Sequence, residues 1–282
     1  SRPDTAWKTQ TLTGNDEGRS IDFLSFLLST FSKKQDTIVS EMKIERQALL
    51  SRAKRLGADV AGIARVKDIA EAGAVIHEPL AGARSAIVLG VRQSHAALNS
   101  PVYQIAQHDT VYAYGKVDST AHALVRVLED AGHQAVAVPA FLPIDMSDQL
   151  KGMVGEVDHR RAAVLAGIGS YGRNNLLLTE RYGPQVRLAT VLTTADVSPG
   201  KKSRKTLCTE CGACIEACPA RALDEPGRTN KSACGKTVFE HGLRGLMRFG
   251  YRWAGADHDE QSHLLKSHAL RELWQNFMVG MY

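Results

Sequence analysis

The sequence predicts an α+β protein, built as a layered core with a small ferredoxin-like, cysteine-rich module appended. Two observations carry this. Helical periods alternate with short apolar runs along residues 43–199. Four of the five cysteines then fall between Cys208 and Cys218, ahead of a helical, basic tail. The expected division is an N-terminal extension over 1–42, a core over 43–199, the cysteine module over 200–237 and a C-terminal helical segment over 238–282.

Residues 1–20 are polar and read as loose. The apolar run from Ile21 to Leu28 reads as an amphipathic N-terminal helix rather than a remnant of export. From Lys43 to Leu56 the residues Ile44, Leu49, Leu50, Ala53 and Leu56 share one side of a helix, and Gly57 is its stop. Asp59–Ala64 and Ala83–Val91 read as short buried strands. Tyr112, Ala113 and Tyr114 read as strand, and Ser119–Ala131 as an amphipathic helix ended by Gly132. Gln134–Pro139 is a third strand, Arg160–Leu165 a helix and Val186–Thr194 a fourth strand.

The chain has 282 residues, of which 44% are hydrophobic, enough for a sizeable core. No apolar stretch reaches the length that spans a bilayer. The net charge is +5. Most of it is spread along the chain, which argues against nucleic acid as a partner. One basic patch stands out: Lys201, Lys202, Arg204 and Lys205. It reads as a solvated loop, or as a dock for an acidic electron donor such as a ferredoxin or flavodoxin. Cysteines that cluster instead of pairing at a distance suit a reducing compartment, the cytoplasm.

Cys208, Cys211, Cys214 and Cys218, followed by Pro219, have the C-x₂-C-x₂-C-x₃-C-P spacing that wraps a [4Fe-4S] cluster. Three thiolates at this spacing reach three corners of a small cube if the backbone curls tightly, and Gly212 and Ala213 allow the curl. Zinc usually takes two separated Cys pairs, so a third evenly spaced Cys argues for the cube. The fourth corner is open. In two-cluster ferredoxins the last Cys of such a run serves the other cluster, which leaves Cys218 and Cys234 as alternatives. Five thiolates are too few for two cubes.

Residues 158–176 form a second constellation. Gly167, Gly169 and Gly172 let a large planar or anionic ligand approach the backbone, with His159, Arg160, Arg173 and Asn174 flanking it. The alternative is a helix end followed by a tight turn. Their spacing formally matches a dinucleotide fingerprint, but the glycines follow a helix, and no ribose-binding acid sits at the usual distance.

These constellations, in this order, resemble the epoxyqueuosine reductase family and its relatives, the corrinoid-dependent reductive dehalogenases. The resemblance rests on Ala166–Asn174, Leu176–Thr179, Tyr182–Gly183, Thr193–Ala195 and the Cys-rich run, with upstream agreement at Leu56–Gly62, Ala83–Gly90 and Leu128–Gly132. It implies a nitroreductase-like core that holds cobalamin beside an iron–sulfur module. By the same resemblance, Arg160, Gly167, Gly169, Gly172, Arg173 and Asn174 lie against the corrin, and Tyr112 and Tyr114 near its substrate face. Two features depart from the family. No Asp stands about a dozen residues before the Gly-rich loop, where only Glu156, Asp158 or Asp148 could substitute, and no second Cys motif is present.

A reductase also needs a proton source. Tyr112, Tyr114, His108 and His159 are candidates, although a packing role is the plainer reading of each. His258, His263 and His268 recur at spacings of five, which suits no shared helical face. The expected function is an iron–sulfur, cobalamin-dependent reductase of a small molecule. The alternatives are an electron-transfer protein that reduces a separate corrinoid protein, or a corrinoid carrier without turnover.

Overall fold

The computed structural model describes residues 43–73, 79–141, 155–201, 205–223, 229–238, 242–266 and 273. The expected N-terminal helix at 21–28, Asp148, Lys202, Arg204, His268 and residues 274–282 lie outside them. In chain order the elements are α1 (Arg46–Leu56), β1 (Val60–Arg65), α2 (Val66–Glu71), β2 (Ser85–Arg92), α3 (His95–Leu98), α4 (Tyr103–Asp130) and β3 (Ala135–Val138). Then follow α5 (His159–Leu165), β4 (Gly169–Tyr171), β5 (Leu177–Thr179), β6 (Val186–Thr193), α6 (Ala213–Glu216), α7 (Lys231–Val238), α8 (Gly242–Gly255) and α9 (His258–Lys266).

Four strands form one antiparallel sheet in the order β1-β2-β6-β3. Helices cover both of its faces, so β2 is buried without a break from Ser85 to Val91 and carries the apolar run Ala86–Leu89 instead of alternating with polar residues. On one face Ile87, Leu89, Val91, Ala189 and Val191 pack against Leu49, Leu50 and Ala53 of α1 and Ala113, Val117, Ala121, Leu124 and Leu128 of α4. On the other, Ala86, Val88, Leu188 and Leu192 pack against Ile69 of α2, Ala162 and Ala163 of α5 and Leu177 of β5. The molecule is α+β, as expected.

Two expectations need correction. The strand expected at Tyr112–Tyr114 lies inside α4, which begins at Tyr103 and runs 28 residues. Burial of Ala113 and Val117 against the sheet sets the helical period there. The Gly-rich stretch is not simply a loop: Gly169–Tyr171 and Leu177–Thr179 pair as a hairpin, β4–β5.

After β6 the chain leaves the core along a tightly held path. The buried Ser85 hydroxyl donates to the Ala195 carbonyl at 2.7 Å and accepts from the Val197 N–H at 2.9 Å. The Gly200 N–H donates to the Ile63 carbonyl of β1 at 2.8 Å. A side chain at Gly200 or Gly62 would collide with the Ala166 carbonyl at the end of α5, 2.7 Å from either β-carbon position. This path delivers the cysteine segment to one place on the core.

Candidate functional site

The cysteine segment is built from tight local turns. Glu210 (φ +57°) and Gly212 (φ +80°) are both left-handed, so the backbone reverses its curl twice between Cys208 and Cys214. α6 then forms a single turn, and the Arg221 N–H closes onto the Cys218 carbonyl at 3.0 Å. All five cysteines are free thiols; Cys211 is exposed, and the other four are half-buried. The Ala213 N–H and the Thr209 hydroxyl donate to Cys211 Sγ and hold it below the usual thiol range. The Ala222 N–H donates to Cys218 Sγ at 3.4 Å. Such N–H···S bonds favour thiolate ligands, so these residues fit a cluster. Among the described residues no three His, Cys, Asp or Glu converge on a single-ion site. A cubane does not need that convergence, because each thiolate binds a different iron.

Cys234 reaches the same region by another route. The Asn230 N–H donates to the Ala222 carbonyl at 2.8 Å, and the Asn230 side chain caps α7 through the Ala233 N–H at 3.0 Å. Cys234 lies in the first turn of that helix and donates its N–H to the Asn230 carbonyl at 2.9 Å. A run of hydrogen bonds thus leads from Cys218 through Ala222 and Asn230 to Cys234.

The β4–β5 hairpin holds both ends of the segment. Ser170 Oγ accepts the Leu207 N–H at 2.9 Å, next to Cys208. Asn175 Nδ2 donates to Thr229 Oγ1 at 3.1 Å, just before α7. Lys205 adds an exposed ion pair to Glu180 at 2.6 Å. On its other side the hairpin is held to α5, because Arg160 Nη1 donates to the Asn175 carbonyl at 2.9 Å. Asp158 caps α5 by accepting the Arg160 and Arg161 N–H groups, so its carboxylate is already engaged. Tyr171 contacts Arg161 through its hydroxyl, and burial pushes its phenol above the ordinary range.

The chain itself uses the three glycines. Gly167, at φ +78°, ends α5. A β-carbon at Gly169 would run into the Leu178 carbonyl of the neighbouring strand, and one at Gly172 would sit 2.5 Å from Asn174 Oδ1. Their freedom is therefore accounted for without a ligand. Arg173 differs: its Nε is buried and has no hydrogen-bond partner. That orphaned donor is the feature of the loop that fits a bound anionic or polar group.

The expected proton donors do not sit together. Tyr112 is 62% exposed on α4. Tyr114, two residues on, turns toward the sheet, packs on Phe141 with ring centroids 5.0 Å apart and lies under the Arg187 guanidinium at 5.1 Å. Arg187 Nε is also buried without a partner. His159 is wedged between β6 and the chain after β3: Nε2 lies 2.9 Å from the Pro139 carbonyl and Nδ1 2.8 Å from Thr190 Oγ1. The carbonyl can only accept, so Nε2 carries the proton and Nδ1 accepts from the threonine. Burial lowers its pKa. Ser85, Ser170, Asn175, Thr229 and Arg187 went unrecognised in the sequence, because isolated serines, threonines and arginines carry no spacing signal.

Residues 204–224 match the family described as 4Fe-4S binding domain. The match contains Cys208, Cys211, Cys214 and Cys218 and ends before Cys234. Over 143 residues the chain is 27% identical to tetrachloroethene reductive dehalogenase of Desulfitobacterium hafniense, which covers 50% of this chain and 23% of that protein. Over 80 residues it is 37% identical to epoxyqueuosine reductase of Bacillus subtilis (strain 168), covering 28% of this chain and 20% of that protein. Over these stretches this chain is similar to both groups of reductases. It spans less than a quarter of the length of either protein. A crystal structure of epoxyqueuosine reductase with an epoxyqueuosine-modified tRNA stem loop aligns with 72% of this chain and 60% of that one, at TM-score 0.49 and 21% identity. Among the described residues no helix is long and apolar enough to cross a membrane.

Proposed function

We propose that the chain is an iron–sulfur reductase that feeds electrons from a [4Fe-4S] cluster to cobalamin held against the β4–β5 hairpin, for reduction of a small molecule. The observation that carries this is the double attachment of the hairpin to the cysteine segment, through Leu207 and Thr229. A hairpin fixed at both ends of the cluster loop holds two redox groups at a constant separation. When bound, cobalamin supplies a cobalt centre that is a strong reductant and nucleophile. The chain's own residues bind and orient around it.

Cys208, Cys211 and Cys214 hold three corners of the cluster, with Cys218 or Cys234 at the fourth. Arg173 offers its unpaired Nε to the cofactor, and Arg160 and Asn174 shape the turn beside it. Tyr112 and Tyr114 are the proton donors, the latter steadied by the Arg187 guanidinium. His159 acts through position, since its one ring proton is committed to Pro139. The layered core is read as nitroreductase-like, with domain limits at 43–199, 200–237 and 238–282. The named substrates of the relatives, a chloroalkene and an epoxide, have an electrophilic carbon in common, and the proposed substrate is of that class. A ferredoxin or flavodoxin in the cytoplasm is the proposed donor.

The test is anaerobic reconstitution with iron and sulfide, followed by titration with cobalamin. Broad visible absorption with about four irons per chain is expected, then a shift of the cobalt(II) bands on binding and their loss on reduction through the cluster. A cluster that forms while no corrinoid binds would assign the chain to electron transfer alone. A folded, iron-free chain would remove the reading altogether.

A further inference from the structure

Among the described helices α8 is the most strongly amphipathic, and neither the cluster nor the hairpin uses it. Its sequence, residues 242–255, contains no acid. Arg248 and Arg252 stand four residues apart and so share one narrow strip of the helix. Leu246, Met247, Phe249, Trp253 and Ala254 lie on the other side, with Tyr251 at the border between the two. That side is left partly open: Leu246 and Trp253 are each 39% exposed, Met247 52% and, at the border, Tyr251 76%. Among the described elements α9 packs on α8, and its Glu260 lies 3.4 Å from Arg252 at an exposed site. That exposed pair is a weak one.

We propose that α8 lies flat in the surface of an anionic lipid bilayer, apolar arc inward, with the arginine strip among the headgroup phosphates. A wide apolar face with aromatics, a cationic polar strip and low average hydrophobicity are the combination that favours this position. At 14 residues the helix is about 21 Å long, short of the roughly 30 Å hydrocarbon layer, so it lies in the plane and does not cross. An RNA phosphate backbone would engage the strip but leave Leu246, Met247 and Trp253 in water. A lipid surface satisfies both faces. This inference is independent of the redox chemistry proposed above.

The test is flotation of the cluster-loaded chain with phosphatidylglycerol–phosphatidylcholine vesicles and with phosphatidylcholine alone. Binding to the anionic vesicles is expected, with little to the neutral ones. Replacing both Arg248→Glu and Arg252→Glu should weaken binding about tenfold or more, and Met247→Glu should abolish it, with iron content unchanged in each. A measurement on native side chains stands beside these variants. Brominated lipid should quench tryptophan fluorescence, and Trp253→Phe should remove that quenching. The proposal falls if the chain does not float, if Met247→Glu floats undiminished, or if quenching persists without Trp253 and so belongs to Trp7 or Trp274. It also falls if the arginine variants lose affinity for a tRNA stem loop while keeping vesicle binding.

Discussion

His159 can release a proton only by giving up its bond to the Pro139 carbonyl, and burial makes taking up a second proton costly. The folded chain therefore binds that proton less readily than the unfolded chain, whose histidine titrates near 6.5. Stability is complete above about pH 6.5 and falls as the pH drops from there toward the lowered folded value, by at most about 1.4 kcal/mol per pH unit. Urea unfolding at a series of pH values should show this slope, and His159→Gln should flatten it. An unchanged slope in the variant would place the titration elsewhere. At the cluster, Cys211→Ala should eliminate the visible absorption and most of the bound iron. Cys234→Ala decides the fourth corner: unchanged iron content would give that ligand to Cys218.

The hairpin is the element on which core and cysteine segment meet, and Gly169 is its tightest point. Gly169→Ala puts a methyl group into the Leu178 carbonyl and should cost about 1–3 kcal/mol, read by chemical unfolding. The helix-stop part of this region was legible, since Gly167 follows an apolar helical period. The hairpin was not, because its strands are three residues long and too short to show alternation. The left-handed Asn175 (φ +58°) was the available turn signal, in an Asn-Asn pair. Within α4 the stretch from Gln107 to Gly115 mixes polar, β-branched and glycine residues, which hides its helical period. Packing on the sheet overrides that weak local preference. The strands at β1, β2, β3 and β6 were readable because each carries a short run rich in Val, Ile, Leu and Ala. The cysteine spacing identified the cluster segment, whereas the bonds that seat it, from Ser170 and Asn175, come from long-range contacts that no local pattern encodes.

On the scale of the whole molecule, the connection from sheet to cysteine segment depends on one hydroxyl. Ser85→Ala removes the bonds to Ala195 and Val197 and leaves the buried Val197 N–H unpaired, which should cost about 1–3 kcal/mol in thermal or chemical unfolding. Iron content should survive below the melting transition, because the ligands themselves are untouched. The same connection has a second effect at β1, one of the two edge strands of the sheet among the described residues. Gly200 occupies the Ile63 carbonyl that would otherwise face outward. A neighbouring molecule seeking to extend the sheet there must first displace this chain's own lead-in to its metal-binding turn. Oxidative loss of iron that loosens the lead-in would thus bare a template for strand addition, and turbidity on exposure to air would follow bleaching of the colour instead of preceding it.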